Sequence, residues 1–336
     1  MREFVINEND SGQRLDKFVL KAVKGIPVSF VYKSIRLKKI KVNRKRAEEK
    51  QILKKDDVVQ MFISEEFFGE KVSKEELLKV NTDLDIVYED ENIILVEKAP
   101  GVLVHTGDGD GKEIDESVSN RNTLIYHIQA YLAKKGEYDP EKENSFTPAL
   151  CNRIDRNTGG IVIAAKNASA LRDMNKRIKD GCIFKFYLCL CHGKLEKESG
   201  ILRDYIKKDD KENIVKVYGS EVEGSKEIIT GYKVLFYDRE KDISALEVEL
   251  FTGRTHQIRA HLAFYSHPLV GDGKYGVISE DKKYGFKHQA LYAYKVSFGD
   301  SSDTLEYLNG KSFHCKIENI YFLTTKMKQK IAKNML

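Results

Sequence analysis

The sequence has no tryptophan, only five prolines and five cysteines, and no long uncharged apolar run. Each shortage excludes something. A membrane-spanning helix needs about 18 or more consecutive apolar residues, and no such stretch occurs. The opening MREFVINENDSGQRLDKF carries Glu3, Glu8 and Asp10 and has no apolar centre, so it does not read as a secretory leader. Cys151, Cys182, Cys189, Cys191 and Cys315 are odd in number and form no C-x-x-C pair. That spacing argues against a disulfide framework and against zinc, and suits reduced thiols in the cytoplasm. With 41% apolar and 32% charged residues, and only 23 glycines in 336 positions, the chain is neither disordered nor collagen-like. What remains is a globular protein without a membrane span, long enough for two domains.

The net charge of +5 is unevenly spread. Residues 1–60 hold 16 Lys or Arg against 8 Asp or Glu, and the remainder 41 against 44. A basic head on a nearly neutral body suits a polyanion-binding module, although composition alone leaves a merely solvated surface open. Leu15, Phe18, Val19, Ala22 and Val23 recur at helical spacing, and Pro27 ends that run. Ser29 is placed to cap a second helix to about Leu37 with Val31 and Ile35 inward. Ile40 and Val42, the turn Asn43-Arg44-Lys45, and Val58–Ile63 read as a strand-turn-strand unit. The expected division is a small domain over 1–63, a charged linker over 64–82 and a larger domain over 83–336.

In the larger part, Leu84–Tyr88, Ile93–Val96, Ile161–Ala165, Ile183–Cys191, Gly231–Tyr237 and Ile243–Phe251 read as strands. Thr123–Ala133 and Ala168–Lys179 read as helices, the second ended by Gly181. Strands in runs with irregularly interspersed helices indicate an α+β fold. The glycine-rich loop at 107–111 fails as a calcium loop, and Gly271-Asp272-Gly273-Lys274 fails as a phosphate loop. His256 and His261 are five apart, which misses the spacing of a helical metal pair. Neither metal nor cofactor is expected.

Two segments carry chemistry. In Cys151-Asn152-Arg153-Ile154-Asp155-Arg156-Asn157-Thr158-Gly159-Gly160 an acid between two arginines precedes an apolar strand. This is either an ion pair holding a turn or a carboxylate kept beside cations as a nucleophile or base. In Phe251-Thr252-Gly253-Arg254-Thr255-His256-Gln257-Ile258-Arg259-Ala260-His261-Leu262 a helix opens, with Thr255 placed to cap it. So polar a start suggests either a solvated helix end or a cluster of donors for phosphate or carboxylate, not a core-facing helix.

Together the two segments resemble the RluA family of pseudouridine synthases, whose patterns are H-R-L-D-x-x-T-S-G and T-G-R-T-H-Q-I-R-x-H-L. Lys98-Ala99-Pro100-Gly101, Phe184–Leu188 before His192-Gly193, and His267–Asp272 with Lys274-Tyr275-Gly276 match in the family's order over about 83–325. Arg14-Leu15-Asp16-Lys17-Phe18 and Ile40–Asn43 resemble the alpha-L RNA-binding motif of a ribosomal small-subunit protein, over about 12–62. Asn152 and Gly159 depart from the family's histidine and serine.

The resemblance implies a catalytic domain with a central, mostly antiparallel sheet flanked by helices, behind an N-terminal RNA-binding domain. It implies isomerisation of uridine to pseudouridine in RNA, without cofactor or metal. Asp155 would be the nucleophile, Arg259 its positive partner and Tyr187 the residue stacking on the base and assisting proton transfer. Ile258 would pack the base, while Arg153, Arg254, His256 and Gln257 would face the substrate. Arg14, Lys17, Lys33, Arg36, Lys38, Lys39, Arg44 and Lys45 would bind phosphates. Whether Asp155 adds to the base or acts at the sugar stays open. Large-subunit ribosomal RNA is the expected target and transfer RNA the alternative, with the protein a monomer by default. An inert RNA-binding assembly factor and a uracil-releasing nucleosidase are the competing readings.

Overall fold

Five apolar residues at helical spacing produce the first helix. In the computed structural model, which describes residues 1–23, 25–69, 72–105, 122–209, 214–276, 278–282 and 285–335, α1 spans Leu15–Ala22. It buries Leu15, Phe18 and Val19 against α2 (Val28–Arg36), which contributes Val31 and Ile35. Pro27, not Ser29, stands at the cap position of α2, and no side chain caps that end. Proline suits the place because it has no N–H to leave unsatisfied and its φ is already set.

Behind the helices lies a four-stranded sheet ordered β1-β4-β2-β3, with β1 Arg2–Val5, β2 Ile40–Val42, β3 Lys45–Arg46 and β4 Val58–Met61. The opening strand β1 pairs with β4 and has no counterpart in the sequence reading. Asn43 and Arg44 both take positive φ, the tight hairpin geometry that usually calls for glycine. Between 64 and 82 a second short helix, α3 (Lys74–Leu78), begins at a Ser73–Glu76 capping box and buries Leu77 in the core of the larger domain.

The larger domain is built on an 11-stranded sheet among the described residues. Its main path runs β11-β10-β12-β13-β9-β14-β8-β6-β5, and only the β14–β8 junction is parallel. In chain order these strands are β5 Asp85–Glu89, β6 Ile93–Lys98, β7 Ala149–Leu150, β8 Gly159–Ala165, β9 Ile183–His192 and β10 Ser199–Asp209. They continue with β11 Ile214–Tyr218, β12 Lys226–Asp238, β13 Ile243–Leu250, β14 Leu291–Phe298 and β15 Ser312–His314. The glycine-rich loop read at 107–111 lies outside the described residues.

Both faces of the sheet centre are covered, which is why its strands read as unbroken apolar runs. Ile93, Leu95, Ile161, Ile163, Leu188 and Leu190 enter one core. Ile94, Val96, Val162, Ala164, Tyr187 and Cys189 enter the other. The helices α4 (Leu124–Lys134) and α6 (Gln257–Phe264) pack on the second face. On the first face lie α5 (Ala168–Lys179) and α7 (Thr325–Met335).

The basic domain is docked on the larger one through polar side chains. Asp10, fully buried, accepts hydrogen bonds from Asn144 and Ser145. Asn7 and Asn9 donate to Glu143, and the Asn9 carbonyl accepts from the Ala168 N–H at the first turn of α5. Removing one partner strands the others at about 1–3 kcal/mol each. Asp10→Ala is therefore expected to loosen the docking and raise the radius of gyration measured by small-angle scattering; an unchanged radius would contradict this account.

Candidate active site

At the sheet centre the 152–158 loop, β9 and the start of α6 enclose a cavity of about 340 Å³. Arg153, Asp155, Tyr187, Arg254, His256, Gln257, Ile258 and Arg259 all line it, although they come from three separate stretches of chain. The acid's loop is held from within. Thr158 N–H donates to the Asp155 carbonyl, and the Arg156 carbonyl accepts from Gly101 N–H at 2.9 Å and Lys98 Nζ at 2.8 Å. Lys98 is almost fully buried and also donates to the Ala99 and Val102 carbonyls. Burial foremost pushes its ammonium down to about 7, with Asp155 pulling the other way. Three carbonyls use all three protons of an ammonium, so the charged form fits this nest.

The departures at Asn152 and Gly159 have local explanations. Asn152 Oδ1 accepts from Ile163 N–H at 2.7 Å and so ties the loop back onto β8. At Gly159 an added Cβ would lie 2.4 Å from the ring of buried Tyr292, which occupies the space a serine would need. Gly160, at φ +115°, would drive a Cβ into the Ala293 backbone at 2.2 Å.

Arg259 organises the charges. Its Nη1 donates to Asp155 Oδ2 at 2.8 Å, while Nε and Nη2 form a fork onto Asp272 at 2.7 and 2.8 Å. Burial opposes the charge of Arg259, but the bonds to Asp272 and the two carboxylate charges overcome it and raise its pKa. Burial would likewise raise Asp272, and the guanidinium reverses that and holds its carboxyl below the usual range. His256 Nε2 stands 4.0 Å from Asp155, and its Nδ1 pairs with the Tyr275 hydroxyl. Burial first pushes His256 down to about 4; Asp155 opposes that and Arg259 adds to it, so the ring is neutral at physiological pH. Tyr187 is buried, which foremost raises its pKa, and its hydroxyl has no hydrogen-bond partner among the described residues.

The second motif is not a solvated helix end. Gln257, Ile258, Arg259, Ala260, His261 and Leu262 are all buried, and the polar ones are paired inside the protein. His256, at φ +53°, occupies the cap position in place of Thr255, and no side chain caps the helix. Gln257 accepts from Thr252 Oγ1 and Arg254 N–H and donates to Ile229 O and Thr230 Oγ1. All four of its amide valences are thus used within the chain, leaving none for substrate. Arg153 and Arg254 are exposed where the cavity opens.

Asp272, Lys98 and Tyr275 are the groups that sequence reasoning did not place. Asp272 sits in a stretch that fails as a phosphate loop and was matched only as part of the family's order; its role at the site comes from Arg259, 13 residues away, and from the turn N–H groups of Lys274 and Tyr275. On the basic domain Lys17, Lys33, Arg36, Lys38, Lys39, Arg44 and Lys45 are exposed. Arg14 instead forms a two-point pair with buried Asp16. Among the described residues no group of three or more His, Cys, Asp or Glu could hold a metal ion, and no helix is long and apolar enough to cross a membrane.

The site thus holds an acid fixed by a shared arginine on the wall of a cavity at the centre of a mostly antiparallel sheet, in a chain that also carries a basic N-terminal domain. The chain belongs to the RNA pseudouridine synthases: the family described as RNA pseudouridylate synthase matches residues 92–264, and an S4 domain matches residues 13–59. An uncharacterized RNA pseudouridine synthase of Mycoplasma genitalium is 35% identical over 298 residues, 88% of each chain. A protein of Haemophilus ducreyi named ribosomal large subunit pseudouridine synthase C is 28% identical over 309 residues, covering 88% of this chain and 87% of that one. Among solved structures, human RNA pseudouridylate synthase domain containing 1 shares the fold, with a TM-score of 0.53 at 21% identity, over 74% of this chain and 86% of that one.

Gly159→Ser would restore the usual family residue yet force the buried Tyr292 ring aside. Overpacking of this kind costs about 1–3 kcal/mol. Urea denaturation should give a lower midpoint for this variant; an unchanged midpoint would mean that Tyr292 does not exclude a side chain there.

Proposed function

We propose that this RNA pseudouridine synthase modifies large-subunit ribosomal RNA in the cytoplasm, as a monomer, with Asp155 as nucleophile and without a cofactor. The observation that carries the residue assignment is the 2.8 Å contact of Arg259 with Asp155 on the wall of a cavity that also holds the unpartnered Tyr187 hydroxyl. The ribosomal target is supported by the relatives named for large-subunit ribosomal RNA and by the basic N-terminal domain.

The reaction breaks the bond between the ribose anomeric carbon and uracil N1, turns the base, and joins it through C5. The proton lost from C5 balances the one gained at N1, so nothing else is consumed. Asp155 attacks at the sugar–base junction, by addition to the base or to the sugar. Arg259 neutralises its charge and fixes its direction. Tyr187 offers a ring for stacking and a hydroxyl for the detached base, and buried Ile258 packs against it. A neutral His256 beside Asp155 is placed to exchange a proton with the reacting base or ribose. The uridine must leave its stack, which costs a few kcal/mol and is offset by phosphate contacts from Arg153, Arg254 and the basic domain.

The test is to incubate the purified protein with unmodified large-subunit ribosomal RNA and, separately, with transfer RNA, and to map pseudouridine. One or a few sites in ribosomal RNA, absent with Asp155→Asn, are expected. Sites in transfer RNA alone would overturn the target. Full activity of Asp155→Asn would overturn the nucleophile, and release of free uracil would indicate hydrolysis instead.

A further inference from the structure

His261 belongs to the second motif, yet it does not touch the cavity. It is fully buried, and its two ring nitrogens join strands that the cavity never reaches: Nε2 lies 2.9 Å from Asp204 Oδ2 on β10 and Nδ1 2.8 Å from Thr230 Oγ1 on β12. Asp204 and Thr230 are themselves buried, and Asp204 also accepts from the Tyr265 hydroxyl.

The proton positions follow from a backbone N–H, which can only donate, and from a carboxylate, which can only accept. Arg254 N–H can only donate, so the Gln257 atom it meets is the carbonyl oxygen, and the Gln257 NH₂ then faces Thr230 Oγ1. Asp204 is a carboxylate that also accepts the Tyr265 hydroxyl, so it takes the Nε2 proton, and the Nδ1 of the neutral ring accepts from the Thr230 hydroxyl. Every donor in this chain has one acceptor. Burial foremost keeps His261 below its usual pKa, with Asp204 opposing, in keeping with the neutral ring the chain requires.

We infer that Asp204, His261 and Thr230 are positioning residues: a directed hydrogen-bond relay that fixes the 252–257 loop through Gln257 and so sets Arg254 and His256 at the cavity. The relay rests on the reading that this cavity is the catalytic site. None of its three members contacts substrate. RNA affinity is spread over many phosphate contacts, so a loosened loop should slow the chemical step and leave binding almost untouched.

Thr230→Val keeps the shape and removes the hydroxyl, whereas Thr230→Ser keeps the hydroxyl. With saturating ribosomal RNA, single-turnover pseudouridine formation by Thr230→Val should fall on the order of tenfold or more per folded molecule, with Kd for the RNA changed less than about twofold. Thr230→Ser should recover most of the rate. The second readout is independent of activity: hydrogen exchange at the Arg254 amide should quicken in Thr230→Val and not in Thr230→Ser. An unchanged exchange rate at Arg254, or equal rates for the two variants, would overturn the relay. If the wild type exchanges as expected but forms no pseudouridine, the function is wrong and the relay stands.

Discussion

One guanidinium is shared by two carboxylates, and the arrangement of the site depends on that sharing. Arg259 gives its fork to Asp272 and its remaining Nη1 to Asp155. Both Arg259 and Asp272 are buried, whereas the Asp155 side chain is about one quarter exposed. Breaking a buried pair by removing one member typically costs about 3–5 kcal/mol, because the survivor keeps its charge without its partner. The Asp272–Arg259 pair is therefore the fixed part, and Asp155 is the exposed member aimed into the cavity. The Lys98 nest and the Asn152 bond to β8 hold the other side of Asp155's loop, so the carboxylate is located from two directions.

Much of this was legible in the residues. Binary patterns located α1, α2, α5 and the central strands because both cores draw on alternate positions of the same strands. Asp155 and Arg259 were marked by the resemblance of the two motifs to the family's patterns, since the residues alone left an ion pair holding a turn equally open. Other features were not legible, for reasons that are physical. β1, β10 and β11 escaped because edge or mixed positions blur the period of two, β10 burying only Asp204 and Ile206, while β14, inside the sheet and mostly buried, shows no sustained alternation. The start of α6 looked solvent-facing because its residues are polar. Burial became affordable only through partners brought from β10, β12 and the 272 turn. Composition cannot reveal such partners.

The same tertiary logic explains the departures from the family pattern. Gly159 accompanies Tyr292, its register partner on the neighbouring strand, yet the two are separated in sequence by β9 and the whole β10–β13 meander. Asn152 takes a backbone N–H that the ladder would otherwise leave unpaired. Arg14 shows the opposite case: a residue whose motif suggested phosphate binding is engaged by buried Asp16 and helps shape its own domain. The other basic residues expected to bind phosphates are exposed, and the polar docking through Asp10 ties the domain that carries them to the larger one.

The most direct measurement is single-turnover pseudouridine formation by Asp272→Asn, alongside its Kd for the same RNA. Asp272 does not line the cavity; it reaches the site through its fork with Arg259 and through the turn it holds at Lys274 and Tyr275, whose hydroxyl meets His256. A rate lower on the order of a hundredfold, with RNA affinity nearly unchanged, is expected if Arg259 must be held for Asp155 to act. A rate equal to that of the wild type would contradict the shared-arginine account.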